Sequence, residues 1–159
     1  MMRRSGFAFA LLVMLSTMTP AAASAGSFTY YGPHLGFAQG PDQFLVGGHM
    51  QWNGVAPRLA FVPGIDLGLA SELTLIELNG DFHYQLASGT HWQPYLGGGV
   101  GLEFPSGGNG NRDATAGGHL IVGAAVPNGG SGRFFTELKL GFGDSTDLKV
   151  AAGWNLRAR

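Results

Sequence analysis

Residues 74–86 read Thr74-Leu-Ile-Glu-Leu-Asn-Gly-Asp-Phe-His-Tyr-Gln-Leu86. Taking every second residue separates them into two sets. Thr74, Ile76, Leu78, Gly80, Phe82, Tyr84 and Leu86 form one, and Leu75, Glu77, Asn79, Asp81, His83 and Gln85 the other. Successive side chains of a strand point to opposite faces, so this is a strand with one greasy face and one polar face. Asn79-Gly80 is a strong hairpin dipeptide. The two faces nevertheless stay in phase through it, so the strand is expected to continue.

The same alternation recurs on both sides of this segment. In 92–104, Trp92, Pro94, Leu96, Gly98, Val100, Leu102 and Phe104 oppose Gln93, Tyr95, Gly97, Gly99, Gly101 and Glu103. In 134–143, Phe134, Thr136, Leu138, Leu140 and Phe142 oppose Phe135, Glu137, Lys139, Gly141 and Gly143. In 147–157, Leu148, Val150, Ala152, Trp154 and Leu156 oppose Asp147, Lys149, Ala151, Gly153, Asn155 and Arg157. A weaker version has Phe44, Val46, Met50 and Trp52 against Gln43, His49 and Gln51. Helical periodicity is nearly absent, and the spread of 28 glycines would cost a helix about 1 kcal/mol at each. The pattern predicts eight strands, at about 28–37, 43–52, 57–69, 74–87, 91–104, 114–126, 133–143 and 147–157. Asn53-Gly54 and Ser88-Gly89-Thr90 are expected as tight turns. A bulge is expected near Pro63, and Pro94 is expected close to a strand end, because each proline lacks a ladder donor.

The chain has 159 residues and no cysteine, so disulfides, thiolate nucleophiles and Cys-ligated metals are excluded. Met1-Met-Arg-Arg4 precedes the apolar run Phe7–Leu15, and Ala23-Ser-Ala25 is a small-x-small cleavage site. Residues 1–25 are therefore expected to be a cleaved export signal, leaving 26–159 as one domain. Arg3 and Arg4 leave with the signal. Of nine Lys and Arg against ten Asp and Glu, seven bases and ten acids then remain. An acidic chain offers no nucleic-acid footprint. No later stretch reaches the about 18 apolar residues of a membrane helix.

Alternation alone fits a soluble barrel with the apolar face inside, or a membrane barrel with that face outside. Aromatic placement favours the second. Threaded up and down with both termini at one end, Trp52, Tyr84, Trp92, Phe134 and Trp154 fall near that end. Phe37, Phe44, Phe104 and Phe142 fall near the other. Two aromatic girdles around an aliphatic belt are the lipid-facing pattern of a transmembrane barrel. The expected fold is thus all-β, an eight-stranded antiparallel up-and-down transmembrane barrel. An unpaired backbone group in hydrocarbon costs several kcal/mol, so such a sheet must close.

Eight strands leave an interior just wide enough for side chains. Its expected polar network is His83 with Arg58, Asp66, Glu77, Asp81, Glu103, Glu137, Lys139, Lys149 and Arg157; apart from the histidine these are five acids and four bases that should pair internally. Inward glycines 97, 99, 101, 141, 143 and 153 leave room for the long side chains. His49, His83 and His119 can converge there with Asp81 or Glu77. No histidine pair has metal-ligand spacing, so no metal or cofactor is expected. The serines 27, 71, 88, 106, 131 and 145 fall in turns, loops or at the terminus. No nucleophile, base and orienting group assemble from them, so no catalytic residue is expected. Gly97-Gly-Gly-Val-Gly101 lacks the Lys-Ser/Thr of a phosphate loop and precedes no helix.

Gln93-Pro-Tyr-Leu-Gly-Gly-Gly-Val-Gly-Leu102 resembles the PYLGxGxG strand of small outer-membrane β-barrel proteins, the group with OmpA- and OmpX-type eight-stranded barrels. Residues Phe135–Trp154 resemble their closing hairpin, with its Glu-x-Lys-x-Gly strand and final Gly-Trp. Gly153-Trp-Asn-Leu156, with three further residues, stands where that group usually ends on an aromatic. The resemblance implies the outer membrane of a Gram-negative envelope, insertion by the barrel-assembly machinery, and contact with outer-membrane lipid and lipopolysaccharide. It implies no catalytic residues. The expected role is non-enzymatic, structural or in surface interaction, for a monomer. The alternatives are a soluble periplasmic lipocalin-like barrel with an apolar ligand, and a narrow gated channel.

Overall fold

The computed structural model describes residues 26–40, 42–71, 73–88, 91–107, 113–130, 132–143 and 147–159. The proposed signal at 1–25, Gly89-Thr90 of one expected turn, and Ser131 and Ser145 lie outside them. Alternating side chains build eight strands: β1 Ser27–Gln39, β2 Gln43–Ala56, β3 Leu59–Leu69, β4 Thr74–Gln85, β5 Gln93–Ser106, β6 Thr115–Pro127, β7 Gly132–Gly143 and β8 Leu148–Arg157. Each pairs antiparallel with the next, and β1 pairs with β8, so the sheet closes into a barrel without an edge. Both ends of the described chain lie at one end of the barrel, the terminus end. The opposite end, with the 107–114 connection, is the loop end.

The polar phase of each strand points inward. Gln43, Asp66, Glu77, Asn79, Asp81, His83, Glu103, His119, Lys139, Lys149 and Asn155 are all buried. The apolar phase points outward, with Phe37 67%, Val100 65% and Leu120 58% exposed. A water-soluble core would show the reverse, so the alternative of an apolar ligand inside a soluble barrel loses its cavity.

Asn79-Gly80 runs straight through β4, paired with Gly64 and Pro63 of β3 and with Gly101 and Val100 of β5. Pro94 is the second residue of β5, where a missing N–H costs least. Two local expectations are corrected. Asn53-Gly54 is not a turn: β2 continues to Ala56, and a register shift between Asn53 and Ala56 absorbs Gly54, whose φ is 81°. The bend comes at Pro57-Arg58, where proline's ring fixes the first φ and Arg58 takes a φ of 62°. Near Pro63 there is no bulge, since the β2–β3 register is the same on both sides of it. The ladder instead skips the positions where Met50 and Gln51 would face Pro63 and Val62.

Candidate functional site

Inward side chains fill the barrel in layers. At the loop end, Ala38, Gln43, Leu45 and Leu75 form a buried lid. Below it, Lys149 donates to Glu77, which is 1% exposed. Glu103 is buried across the β4–β5 ladder from Glu77. Gly101, beside Glu77 and Asn79, has no Cβ to collide with the Glu77 carboxylate.

The middle layers hold two carboxylate centres. Asp81 accepts from Lys139 Nζ at 2.6 Å and from His119 Nε2 at 2.7 Å. Lys139 also reaches Glu137 at 3.6 Å. Asp66 accepts from His34 Nε2 at 2.5 Å and from Asn79 Nδ2 at 2.8 Å. Two hydrogen-bond donors at each carboxylate, one of them the Lys139 ammonium at Asp81, offset the cost of taking it out of water.

Towards the terminus end the contents become aromatic. Tyr95 donates to Glu137 Oε2 at 2.9 Å and stacks on His83, with ring centroids 4.6 Å apart. His49 Nε2 donates to Asn155 Oδ1 at 2.5 Å, and His49 packs edge-on against Phe135 at 5.1 Å. Arg133 lies over the Tyr30 ring at 4.4 Å, a cation–π contact near the mouth.

Between these layers is a cavity of about 40 Å³, lined by residues including His34, His49, Asp66, His83, Tyr95 and Glu137. One water needs about 10–15 Å³ on this measure, so the space suits a few waters. The lid residues do not line it. His83 Nε2 and Asn79 Oδ1 are buried without a partner among the described residues, and both side chains line the cavity.

The pairs His34–Asp66 and His119–Asp81 match the base-and-orienter half of a catalytic triad. Among the described residues, no hydroxyl or thiol is hydrogen-bonded to either histidine. No group of three or more His, Cys, Asp and Glu that could hold a metal occurs among them either. The arrangement can hold charge, order water and fix strand register.

No protein-family model matches the sequence, and no curated protein matches it significantly. Solved structures do match. The N-terminal β-barrel domain of Pseudomonas aeruginosa OprF superposes with a TM-score of 0.70 at 10% identity, covering 85% of this chain and 100% of that one. Neisserial surface protein A gives 0.68 at 12% identity, with 85% and 100% covered. A designed transmembrane β-barrel gives 0.58 at 21% identity, with 85% and 98% covered. The chain has the fold of the small outer-membrane barrels.

In this small barrel, Asp66, Glu77, Asp81, His83, Glu137, Lys139 and Lys149 all lie inside. Two residues placed there by the sequence do not. Arg58 is exposed in the β2–β3 turn, because β2 runs longer than its pattern suggests and pushes the turn onto it. Arg157 ends β8 and is exposed at the rim, facing Tyr30 in the ladder. The described interior therefore has five carboxylates against Lys139 and Lys149, with Arg133 at the mouth. His34, Asn79, Tyr95, Arg133 and Asn155 were absent from the expected polar network. His34 was legible: it falls in one phase with Gly32, Gly36 and Ala38, opposite Tyr31, Leu35 and Phe37.

The expected girdle residues lie on the outer face. Trp52 sits 5.1 Å from Phe28 and 6.4 Å from Phe61, and Phe134 sits 5.6 Å from Trp154, with Tyr84 and Trp92 at the same end. At the loop end Phe37 meets Phe44 at 5.3 Å, and Phe104 and Phe142 are exposed on the same side of the sheet. Phe28, Tyr31, Phe61 and Phe82 enlarge the terminus-side band.

Proposed function

We propose that the chain is an outer-membrane protein with a non-enzymatic structural or surface-interaction role in the cell envelope. One observation carries this reading. A closed sheet turns its aliphatic and aromatic side chains outward in two aromatic bands, and encloses its charges. In water such a surface is an aggregation liability. In a bilayer it is the required solvent match, with Trp and Tyr at headgroup depth. The non-enzymatic part reads the interior histidines as structural, since His34 and His119 bond Asp66 and Asp81 across the bore and so hold strands in register.

On this reading residues 1–25 are removed on export and the barrel begins near Gly26. The barrel-assembly machinery inserts it, and outer-membrane phospholipid and lipopolysaccharide surround a monomer. The test is expression of the full chain in a Gram-negative host, followed by fractionation. The expected product is in the outer-membrane fraction, starts near Gly26, and changes gel mobility only after boiling. Recovery as a soluble periplasmic protein, with the same mobility boiled or unboiled, would overturn the proposal.

A further inference from the structure

The outer wall is dented over β1–β3. Pro33 faces Gly48 across β1–β2, and Gly48 faces Ile65 across β2–β3. Two adjacent outward positions at this height thus carry only a pyrrolidine ring and a hydrogen. The result is a concavity of about 830 Å³, floored by Gly48 and rimmed by Phe28, Tyr31, Pro33, Met50, Pro63 and Ile65. No Asp, Glu, Lys or Arg lines it. The wall beneath is interrupted twice. The β2–β3 ladder skips Met50 and Gln51 beside Pro63, and the β1–β8 ladder skips Gly32 and Pro33 opposite Asn155 and Trp154. No other strand carries a proline away from its ends, so closure does not require one there.

Resting on the membrane reading above, we infer that this concavity is a binding niche for one acyl chain of a membrane phospholipid. The lining is apolar except at His49, whose ring bonds Asn155 in the interior, and the niche opens to the side that the reading gives to lipid. A flexible hydrocarbon chain can follow the dent over Pro33 and Gly48. Its headgroup then lies at the aromatic band, where Trp52 packs 5.1 Å from Phe28. A second copy of the chain fits worse. Across a two-fold axis the same patch must meet itself, and two facing hollows enclose a void whose lining loses its contacts. On the convex wall elsewhere a lipid chain touches the barrel along one side only. Here the rim side chains of Phe28, Tyr31, Met50 and Ile65 also flank it.

The test uses the barrel folded from the full chain into phosphatidylcholine–phosphatidylglycerol vesicles doped with a phospholipid bearing a photoactivatable diazirine on its acyl chain. After irradiation, labelled peptides are mapped by mass spectrometry. Label on β1–β3 is expected at roughly fivefold the level on outward positions of β6 and β7 such as Leu120, Val122 and Leu138, the ratio given by about 1 kcal/mol of preference. Gly48→Leu should abolish the enrichment. A Cβ there meets only the Gly32 carbonyl oxygen, at 3.7 Å, so the side chain can enter the niche without moving the wall. Pro63→Leu fills the same space and returns a ladder donor, and should act alike. Ala124→Leu, outward on β6, should leave the enrichment intact. Even labelling of every outward strand would overturn the niche and leave the membrane reading standing. Label on no outward strand would overturn both. Cross-links joining two barrels through β1–β3 would replace the acyl chain with a second copy.

Discussion

Lys139 does the most among the interior side chains. Its ammonium is shared by Asp81 at 2.6 Å and Glu137 at 3.6 Å, in a barrel centre where water is scarce. Removing it leaves two buried carboxylates facing one another, and breaking a buried pair from one side costs about 3–5 kcal/mol. Lys139→Met should therefore lower unfolding stability by about that much in urea titrations of the bilayer-folded protein. Asp81→Asn in the same chain should recover part of the loss, because it removes one of the stranded charges. Arg58 behaves oppositely. Its left-handed φ of 62° costs a non-glycine residue about 1–2 kcal/mol, and glycine's extra freedom when unfolded returns part of that. Arg58→Gly should leave stability equal or raise it by up to about 1 kcal/mol. A marked loss in the same titration would place Arg58 in the interior after all. The sequence misplaced Arg58 for a definable reason. Alternation gives the phase of a strand, but where it ends depends on turn chemistry, and Pro57-Arg58 competed with the more familiar Asn53-Gly54.

At the scale of the strand, facing is the property most fully written in the sequence. For β4, β5, β7 and β8 the inward and outward residues read from period-two alternation agree with the observed burial along the strand middles, and the exceptions sit at strand ends, where Gly143 and Arg157 were read as inward and are exposed. One apolar solvent on the outside makes the constraint strict, since slipping a strand by one residue would turn its charges into lipid. In β1, Gly32, Pro33 and Gly36 dilute the contrast, so His34 was passed over although its phase is readable, and Asp66 was placed inside without this partner. The partners of each inward residue were not legible, because they depend on stagger around the barrel: Asp81 meets Lys139 across 58 residues. Facing is testable at Leu138, which is outward on β7, while its neighbour Lys139 points inward. Leu138→Arg puts a charge into the acyl region and should cost about 2–4 kcal/mol in urea titrations of the bilayer-folded barrel. Cysteines introduced singly at 138 and 139, in a chain with none of its own, give the complementary reading. The one at 138 should be shielded by lipid and released to a water-soluble maleimide when the lipid is removed. The one at 139 should not change with lipid removal.

For the whole molecule, the closed ladder and the filled bore bear on the same question, whether anything passes through. Eight strands leave a bore that side chains can occupy completely, and aqueous channels arise only at about 16–18 strands. Here the filling is ordered by chemistry, with an apolar lid of Leu45, Leu75 and Ala38 at the loop end and charges held in pairs beneath it. The internal cavity is about 40 Å³ and stops short of the lid. An ion entering from the terminus end would leave its hydration shell among fixed pairs, then face a lid whose one polar side chain, Gln43, cannot replace that shell. Moving the lid is no easier, since Leu45 and Leu75 hang from strands paired on both sides. Planar-bilayer recordings of the purified barrel should therefore show no discrete conductance steps over the baseline of protein-free membrane. Glycine in place of Leu45 and Leu75 together should open the loop end to water but leave the Asp81–Lys139–Glu137 layer as a second barrier, so that variant should stay silent too. Conductance in the wild type would show that the charged layers rearrange as a gate. Conductance in the double variant alone would assign the seal to the lid and not to the ion pairs.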